Sequence, residues 1–403
     1  MTITMQTLFW TGAAVVLYAY IGYPILLIVL ACLHQIATDI LFAAGRKERR
    51  HRSDRKTLSV SLVFAAHNEA AVIAEKMRNT AALVYPSKNF EVLIGCDGCT
   101  DETAQLARLA GLPNCRVLEF PERSGKPALL NRLVPEAHGD LVVFCDANTM
   151  MMPNAIERLV RHFASPEVGC VCGELRLLCP DGKMQNEGAY WRYETFLKFL
   201  ESRLNMLVGA NGGLFAIRRE LFQPLPQHAI IDDFLIAMQI RATGKRVLYD
   251  PEAVACETAA DVAQEFRRRV RIGAGNFYAL QYTWRMLNPV AGLIALAYWS
   301  HKILRWSVPF AIGLSLLASV MLAFKPFYAT CLCAAATLAG LTAFQHLLVR
   351  AGRSNRLLSI PYYFFSMNLA LLLGLVRCLR GTQTLAWTPT VRAEVLRAKG
   401  AGA

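Results

Sequence analysis

The chain has 403 residues, of which 54% are hydrophobic, and it carries a formal net charge of +13 at pH 7. This length allows one or two domains, and the hydrophobic share exceeds that of an ordinary soluble domain. Much of the positive charge flanks apolar segments, which favours contact with anionic lipid. The sequence has no arginine-rich array with interleaved aromatic residues, so nucleic acid is excluded as a partner.

The apolar residues begin with an N-terminal segment. Residues 9–33 contain no Asp, Glu, Lys or Arg, and they are numerous enough to cross a bilayer. A basic cluster follows at 46–56, and such clusters remain on the cytoplasmic side of a membrane. We therefore expect residues 1–45 to hold a membrane span and the start of its basic flank. Residues 46–57 form a basic linker that leads into a cytoplasmic domain.

The last third of the chain is apolar again. Two runs, 307–324 and 327–348, are separated by a short hairpin, and the run 357–376 is a third candidate span. Whether 357–376 crosses the membrane is left open, because Arg377 and Arg380 would then lie on the outer side. We expect membrane helices over 307–380.

Two segments flank these helices. Residues 281–306 include His301, Lys302 and Arg305, and charges are expensive in mid-bilayer. This pattern favours an amphipathic interfacial segment, and a distorted span is the alternative. Residues 381–403 form a basic tail.

The middle domain, residues 58–280, alternates strand and helix patterns. Apolar strands are predicted at 58–66, 90–96 and 140–145, and helices are predicted at 69–83 and from Asp101 onwards. Such alternation predicts an α/β, Rossmann-like domain with a mostly parallel sheet covered on both faces. In such sheets, ligands bind beyond the carboxyl ends of the strands.

Polar residues follow the predicted strands at that edge. Glu69 comes after the first strand, Asp97 ends the second, and Asp146 with Asn148 follows the strand at 140–145. Asp146 and Asn148 offer hard oxygen ligands for Mg²⁺ or Mn²⁺. Lys126 adds a positive charge, so the set suits a nucleoside diphosphate. Taken singly, each residue could equally be a helix cap or a turn residue.

The order of these motifs resembles glycosyltransferase family 2, whose catalytic domain has the GT-A fold. The resemblance implies that Asp97 contacts the nucleoside and that Asp146 to Asn148 is the metal-binding DxD motif, with Asn as its last member. It also implies that Glu69 and Lys126 help to bind the nucleotide-sugar.

The resemblance extends to the acceptor side, where Asn211, Gly212 and Gly213 match the strand that lines the acceptor. Asp232 and Asp233 match an acidic pair at a helix start, with Asp232 on the acceptor side and Asp233 as the general base. The family's in-line attack would invert the anomeric centre. Helix capping is the alternative role for this pair.

Processive members of the family carry a QxxRW motif before their C-terminal helices. Here Arg268 replaces the Gln, Arg271 is kept and Ile272 replaces the Trp. The two arginines are expected to hold the diphosphate, with a basic surface on lipid as the alternative. Isoleucine cannot stack on a sugar as Trp does, so polymerisation and single-sugar addition both stay open.

The sequence therefore predicts a multi-pass plasma-membrane enzyme with a cytoplasmic catalytic domain. Its expected partners are a nucleotide-sugar, a polysaccharide or lipid-linked acceptor, membrane lipid and polysaccharide export proteins. A catalytically inert scaffold subunit is the alternative from a different class. The sugar and the nucleotide base are not specified by the sequence.

Overall fold

The computed structural model describes residues 2–45, 57–178, 188–258, 262–351, 353 and 355–382. The basic cluster at 46–56 and the basic tail from 383 onwards lie outside these ranges. Contacts divide the chain into two compact units. The helical unit comprises Met1–Leu26, Val262–Phe277 and Ala295–Thr382, and the sheet unit contains Leu27–Asp261 and Tyr278–Ile294.

The sheet has eight strands in the described residues. In chain order they are β1 (Val60–Ala66), β2 (Phe90–Asp97), β3 (Cys115–Phe120), β4 (Leu141–Cys145), β5 (Thr149–Met151), β6 (Val168–Leu178), β7 (Leu214–Arg218) and β8 (Arg246–Thr258). Their spatial order is β3-β2-β1-β4-β7-β6-β8-β5.

The α-helices are also numbered along the chain. They are α1 (Thr2–Leu17), α2 (Tyr23–Ala43), α3 (Ala70–Ala81), α4 (Thr103–Leu109), α5 (Lys126–Leu133), α6 (Ala155–Val160), α7 (Gly188–Arg203), α8 (Asp232–Ala242), α9 (Val262–Thr283), α10 (Leu293–Ala297), α11 (Leu304–Met321), α12 (Pro326–Arg350) and α13 (Arg356–Leu379).

The predicted strands and helices of the middle domain are present, but the sheet is more mixed than the sequence indicated. Strands β3, β2, β1 and β4 are mutually parallel, as expected from alternating strands and helices. Strand β7 then runs antiparallel to both β4 and β6, and β5 runs antiparallel to β8. Strands β6 and β8 are again parallel to each other. The expectation of a mostly parallel sheet therefore holds for the first four strands and for this pair, and β7 and β5 are the strands that depart from it.

Burial explains why the sequences of the first strands are continuous apolar runs. Every residue of β1 is buried, because a central parallel strand is covered on both faces. Leu62 and Phe64 of β1 pack in one core cluster with Ile73 and Met77 of α3 and with Val143 of β4. This packing fixes the carboxyl ends of β1, β2 and β4 at one edge of the sheet.

The helical unit contains most of the membrane candidates. Four helical segments of the described chain are long and apolar enough to cross a membrane, namely Thr2–Ala43, Leu293–Met321, Pro326–Arg350 and Leu357–Leu379. The N-terminal and hairpin spans were expected, and Leu357–Leu379 has the length and composition of a fourth span.

The expected boundary at residue 306 falls inside a continuous helical segment. Helix α10, a π-helical turn at Tyr298–Ile303 and α11 follow one another without a break. The polar residues of this stretch are accommodated by burial within the helical unit, since His301 is 2% and Arg305 is 8% exposed. The guanidinium of Arg305 lies 5.5 Å from the ring centroid of Tyr20. The segment expected as one interfacial piece, 281–306, is thus divided between the two units, and its helix begins at Leu293.

Candidate active site

Asp97 lies at the end of β2 and binds the loop that precedes α5. Its side chain is fully buried. One carboxylate oxygen accepts hydrogen bonds from the Ser124 backbone N–H at 2.8 Å and the Ser124 hydroxyl at 2.9 Å, and the other accepts from the Gly125 N–H at 2.8 Å. Asp97 therefore fixes the start of α5 whatever else it contacts.

The loops after β1 and β2 are joined to one another. The backbone N–H of Glu69 donates to the Thr103 hydroxyl at 2.8 Å, and the N–H of Ala70 donates to Asp101 at 3.1 Å. Burial alone would raise the pKa of Asp101, but its hydrogen bonds from Thr103 and Ala70 lower it. This carboxylate stays ionised and holds Glu69 beside the end of β2.

Lys126 is the first residue of α5 and pairs with two carboxylates. Gly125 before it has a φ of 88°, a conformation that glycine adopts without strain. The Lys126 Nζ lies 2.8 Å from Asp146 Oδ1 and 3.0 Å from Asp232 Oδ2. Burial would lower the pKa of Lys126, but the charges of Asp146 and Asp232 outweigh it and raise the pKa. Lys126 is therefore a permanent cation between the end of β4 and the start of α8.

Asp232 has a contact that the sequence did not indicate. Its carboxylate lies against Lys126, together with Asp146, and its expected place on the acceptor side stays a prediction. The residue is 5% exposed. The N-cap of α8 is Ile231, so neither Asp232 nor Asp233 occupies the capping position.

Asp233, in the first turn of α8, is the carboxylate most suited to proton transfer. Its Oδ1 accepts the N–H of Phe234 at 2.8 Å. Desolvation, with repulsion from Asp232, raises the pKa of Asp233 to about 6, although Lys126 and Lys198 act in the opposite direction. A carboxylate with this pKa is ionised at pH 7 and is a stronger base than an exposed aspartate.

The acceptor-side residues lie at the same sheet edge. Leu214, the first residue of β7, pairs with Cys145, the last residue of β4, so Asn211 to Gly213 lie beside Asp146 in the sheet register. A Cβ placed on Gly212 would lie 3.3 Å from Asp233 Oδ2. The Lys198 ammonium donates to the side-chain oxygen of Asn211. The structure therefore brings the loop from Asn211 to Gly213 and the Asp233 carboxylate together.

The charges and donors of this edge fit a divalent cation. Asp146, Asp232 and Asp233 bring three carboxylates to this edge, and Lys126 and Lys198 are the cations that act on them. In the described ranges, no group of three or more His, Cys, Asp or Glu side chains is arranged to hold a metal ion. An open site of this kind suits Mg²⁺ or Mn²⁺, which commonly keep waters and substrate phosphates as ligands.

One residue at this edge could not be identified from the sequence. Glu257, near the end of β8, accepts a hydrogen bond from Asn148 Nδ2 at 3.2 Å. Nothing in the sequence singles it out, because β8 reaches the loop after β4 only through its pairing with β5.

Arg268 and Arg271 belong to the helical unit, on α9. Arg268 forms an ion pair with Glu265 at 3.7 Å, and Arg269 contacts the same carboxylate. The expected role of Arg268 and Arg271 in binding the diphosphate stays a prediction.

Comparison with known proteins identifies the class. Residues 58–275 match the sequence model of the family described as glycosyltransferase like family 2. This match covers more than half of the chain. The chain belongs to this glycosyltransferase family.

A solved structure confirms the fold. The mannosyltransferase PcManGT from Pyrobaculum calidifontis, in complex with GDP-Man and Mn²⁺, superposes with a TM-score of 0.69 at 23% sequence identity. The superposition covers 92% of this chain and 99% of that one. The sheet unit therefore has the GT-A fold that the sequence predicted.

Two curated relatives match this chain over less than half of their own length. The β-monoglucosyldiacylglycerol synthase of Trichormus variabilis is 30% identical over 169 residues, which are 41% of this chain and 36% of that protein. The poly-β-1,6-N-acetyl-D-glucosamine synthase of Staphylococcus aureus is 25% identical over 211 residues, 48% of each. This chain spans about half or less of these two relatives.

Proposed function

We propose that the protein is an inverting hexosyltransferase that uses a nucleoside diphosphate sugar and modifies a lipid-linked or polysaccharide acceptor. The observation that carries this proposal is Asp233, a carboxylate with a pKa of about 6, next to the ion-paired group of Lys126, Asp146 and Asp232. A base and a site for departing diphosphate are the two requirements of sugar transfer from such a donor.

Asp233 acts as the base in this proposal. An acceptor hydroxyl is a weak nucleophile until its proton is removed during attack. With a pKa of about 6, Asp233 is ionised at neutral pH and accepts that proton. Attack on the face opposite the leaving diphosphate inverts the anomeric centre. Gly212 gives the acceptor room next to this carboxylate, because a side chain there would meet Asp233.

The other charged residues assist the leaving group. Asp146 and Asn148 would hold Mg²⁺ or Mn²⁺, and a bound metal ion would neutralise charge on the diphosphate. Lys126 keeps Asp146 and Asp232 in place and contributes its own positive charge to the anionic ligand. Asp97 positions the loop before Lys126, and we assign Asp97 and Glu69 to the nucleoside side. The assignment of Arg268 and Arg271 to the diphosphate rests on the sequence resemblance.

The names of two relatives indicate two classes of acceptor. One is named for a glycolipid and the other for a polysaccharide. Ile272 stands where processive enzymes have an aromatic residue, and isoleucine offers no ring for stacking on a growing glycan. This favours addition of a single sugar to a lipid, with polymerisation as the second candidate.

We further propose that the sheet unit faces the cytoplasm of a plasma-membrane protein, because the basic cluster at 46–56 follows the N-terminal span. A reporter fused near residue 57 should behave as cytoplasmic. A reporter that is active only outside the membrane would place the donor site away from nucleotide-sugars and reject this orientation.

The function is tested with the full chain purified in detergent. The protein is incubated with a panel of nucleotide-sugars, with Mg²⁺ or Mn²⁺ and with lipid or oligosaccharide acceptors, and release of nucleoside diphosphate is measured. Acceptor-dependent release with one donor supports the proposal. If no donor is consumed, and a catalytically dead variant still supports polysaccharide export in cells, the protein is a scaffold.

A further inference from the structure

We propose that Glu257 completes the metal site by supplying the negative charge that Asn148 lacks and by orienting the Asn148 amide. This inference rests on the proposed function, since it concerns the metal that would bind at Asp146 and Asn148. It assigns a role to a residue that lies outside the DxD motif.

The hydrogen bond between the two side chains fixes the orientation of Asn148. An ionised carboxylate has only acceptor oxygens. The Asn148 nitrogen must therefore face Glu257, which it contacts at 3.2 Å. The Oδ1 atom of Asn148, the only atom of that amide that can bind a metal, is thereby turned away from Glu257. Side chains that orient a metal ligand in this way also tune how strongly the ligand binds the metal.

The pairing of two strands places Glu257 next to Asn148. Thr149, the residue after Asn148, is the direct antiparallel partner of Glu257 in the pairing of β5 with β8. Two paired strands therefore hold the carboxylate and the amide together, and the contact does not depend on a flexible surface side chain. Glu257 is 5% exposed, so its charge acts on its neighbours through little solvent.

The negative charge of Glu257 accounts for the presence of Asn148 in place of the second aspartate of the DxD motif. An aspartate in place of Asn148 would put a carboxylate in this loop directly. In this chain the loop carries an amide, and the carboxylate of Glu257 reaches it from β8 instead. Exchanging the two functional groups, by the double substitution N148D/E257Q, keeps the net charge of the pair and its capacity for one N–H···O hydrogen bond.

The test is a titration of the full-length, detergent-purified protein with Mn²⁺ alone, followed by the electron paramagnetic resonance signal of free Mn²⁺. Glu257→Gln keeps the shape of the side chain and removes its charge. We expect it to weaken Mn²⁺ binding by about 10-fold or more, the size seen when the hydrogen-bond partners of metal ligands are changed. Glu174→Gln is the matched control, because Glu174 is a carboxylate of the same sheet whose partner is the Tyr249 hydroxyl at 2.7 Å. It should leave Mn²⁺ affinity unchanged.

The double variant N148D/E257Q gives the decisive comparison. The double variant is compared with Asn148→Asp alone, so that the ligand at position 148 is the same in both. If Glu257 supplies charge to the site, N148D/E257Q binds Mn²⁺ clearly more weakly than Asn148→Asp. If Glu257 is merely structural, the two variants bind Mn²⁺ equally. This comparison decides the proposal even if the single Glu257→Gln variant does not fold.

Sugar transfer is measured separately on the same samples. Unchanged Mn²⁺ affinity in Glu257→Gln, or no Mn²⁺ binding by the unaltered protein, overturns the inference. Transfer that still proceeds in those cases leaves the proposed function standing. The expected Mn²⁺ pattern without transfer from any donor would support the metal site and reject the enzymatic function.

Discussion

Two carboxylates at the same sheet edge differ in the groups that surround them. Asp97, at the end of β2, accepts three hydrogen bonds from Ser124 and Gly125. Asp233, at the start of α8, accepts the N–H of Phe234 and lies close to a second carboxylate, that of Asp232. The first arrangement fixes the loop before α5, and the second makes the negative charge of Asp233 costly, which raises the pKa of Asp233. In the proposed function, Asp97 positions the loop before Lys126, and the electrostatically crowded Asp233 is the base.

The largest expected effect separates these two roles. Asp233→Asn is nearly isosteric and removes the negative charge and with it the ability to accept a proton. Loss of a general base lowers turnover by about 10²–10⁴-fold. Nucleotide binding and membrane insertion should be unaffected. Nucleoside diphosphate release under saturating donor measures the loss, and near-normal turnover would mean that the base lies elsewhere.

The same substitution, which lowers turnover, is not expected to lower stability. The folded-state pKa of Asp233 is raised from 3.8 to about 6, so stability decreases as pH rises through this interval and the full cost of the ionised form is present above about 6. Asp233→Asn should therefore unfold at the same or a higher temperature than the unaltered protein at pH 8. Asp140→Asn is the control, because Asp140 precedes β4 at the opposite edge and accepts the Ser59 N–H at 2.9 Å. It should leave turnover unchanged.

A somewhat smaller loss is expected for Asp146→Ala. The change removes the proposed metal ligand and one of the two carboxylates that hold Lys126. Removing one pre-organised electrostatic group typically lowers turnover by about 10²–10³-fold. The assay compares turnover with Mg²⁺, with Mn²⁺ and with a chelator. Activity that is indifferent to both Asp146→Ala and chelation would reject the DxD assignment.

The smallest effect is expected at Asp97, and it should appear in stability first. In Asp97→Asn, one side-chain oxygen becomes an NH₂ group that cannot accept the N–H bonds of Ser124 or Gly125. An unsatisfied buried polar group costs about 1–3 kcal/mol. Thermal unfolding should show this loss, with weaker nucleotide binding as its consequence. Unchanged stability would mean that the loop before α5 does not depend on this carboxylate.

Part of this edge was predictable from sequence, because Asp97 and Asp146 stand at the ends of strongly apolar strands. Asp233, in the first turn of α8, could be placed only by the family resemblance. The placement of Asp232 was not predictable, since adjacent residues at a helix start point in different directions. Only the folded chain shows that Asp232 faces Lys126 while Asp233 lies next to Gly212.

Long-range strand pairing explains the remaining differences. Asn148 and Glu257 are 109 residues apart. Strands and helices continue to alternate through α6, α7 and α8, but this alternation does not show that β7 and β5 run antiparallel to their neighbours. In the last third, the polar residues of 281–306 indicated an interface. The structure buries His301 and Arg305 within the helical unit, which hydropathy alone does not reveal.

The pH dependence of turnover tests the central claim, that Asp233 is the base, most directly. The charged groups that act on Asp233 are Asp232, Lys126 and Lys198. Because the basic form is lost as pH falls through about 6, turnover should decrease about tenfold for each pH unit below that value. Asp233→Asn should show low activity without this acidic limb. Turnover that stays level from about pH 7.5 down to about pH 5 in the unaltered protein, or an identical acidic limb in Asp233→Asn, would contradict the assignment.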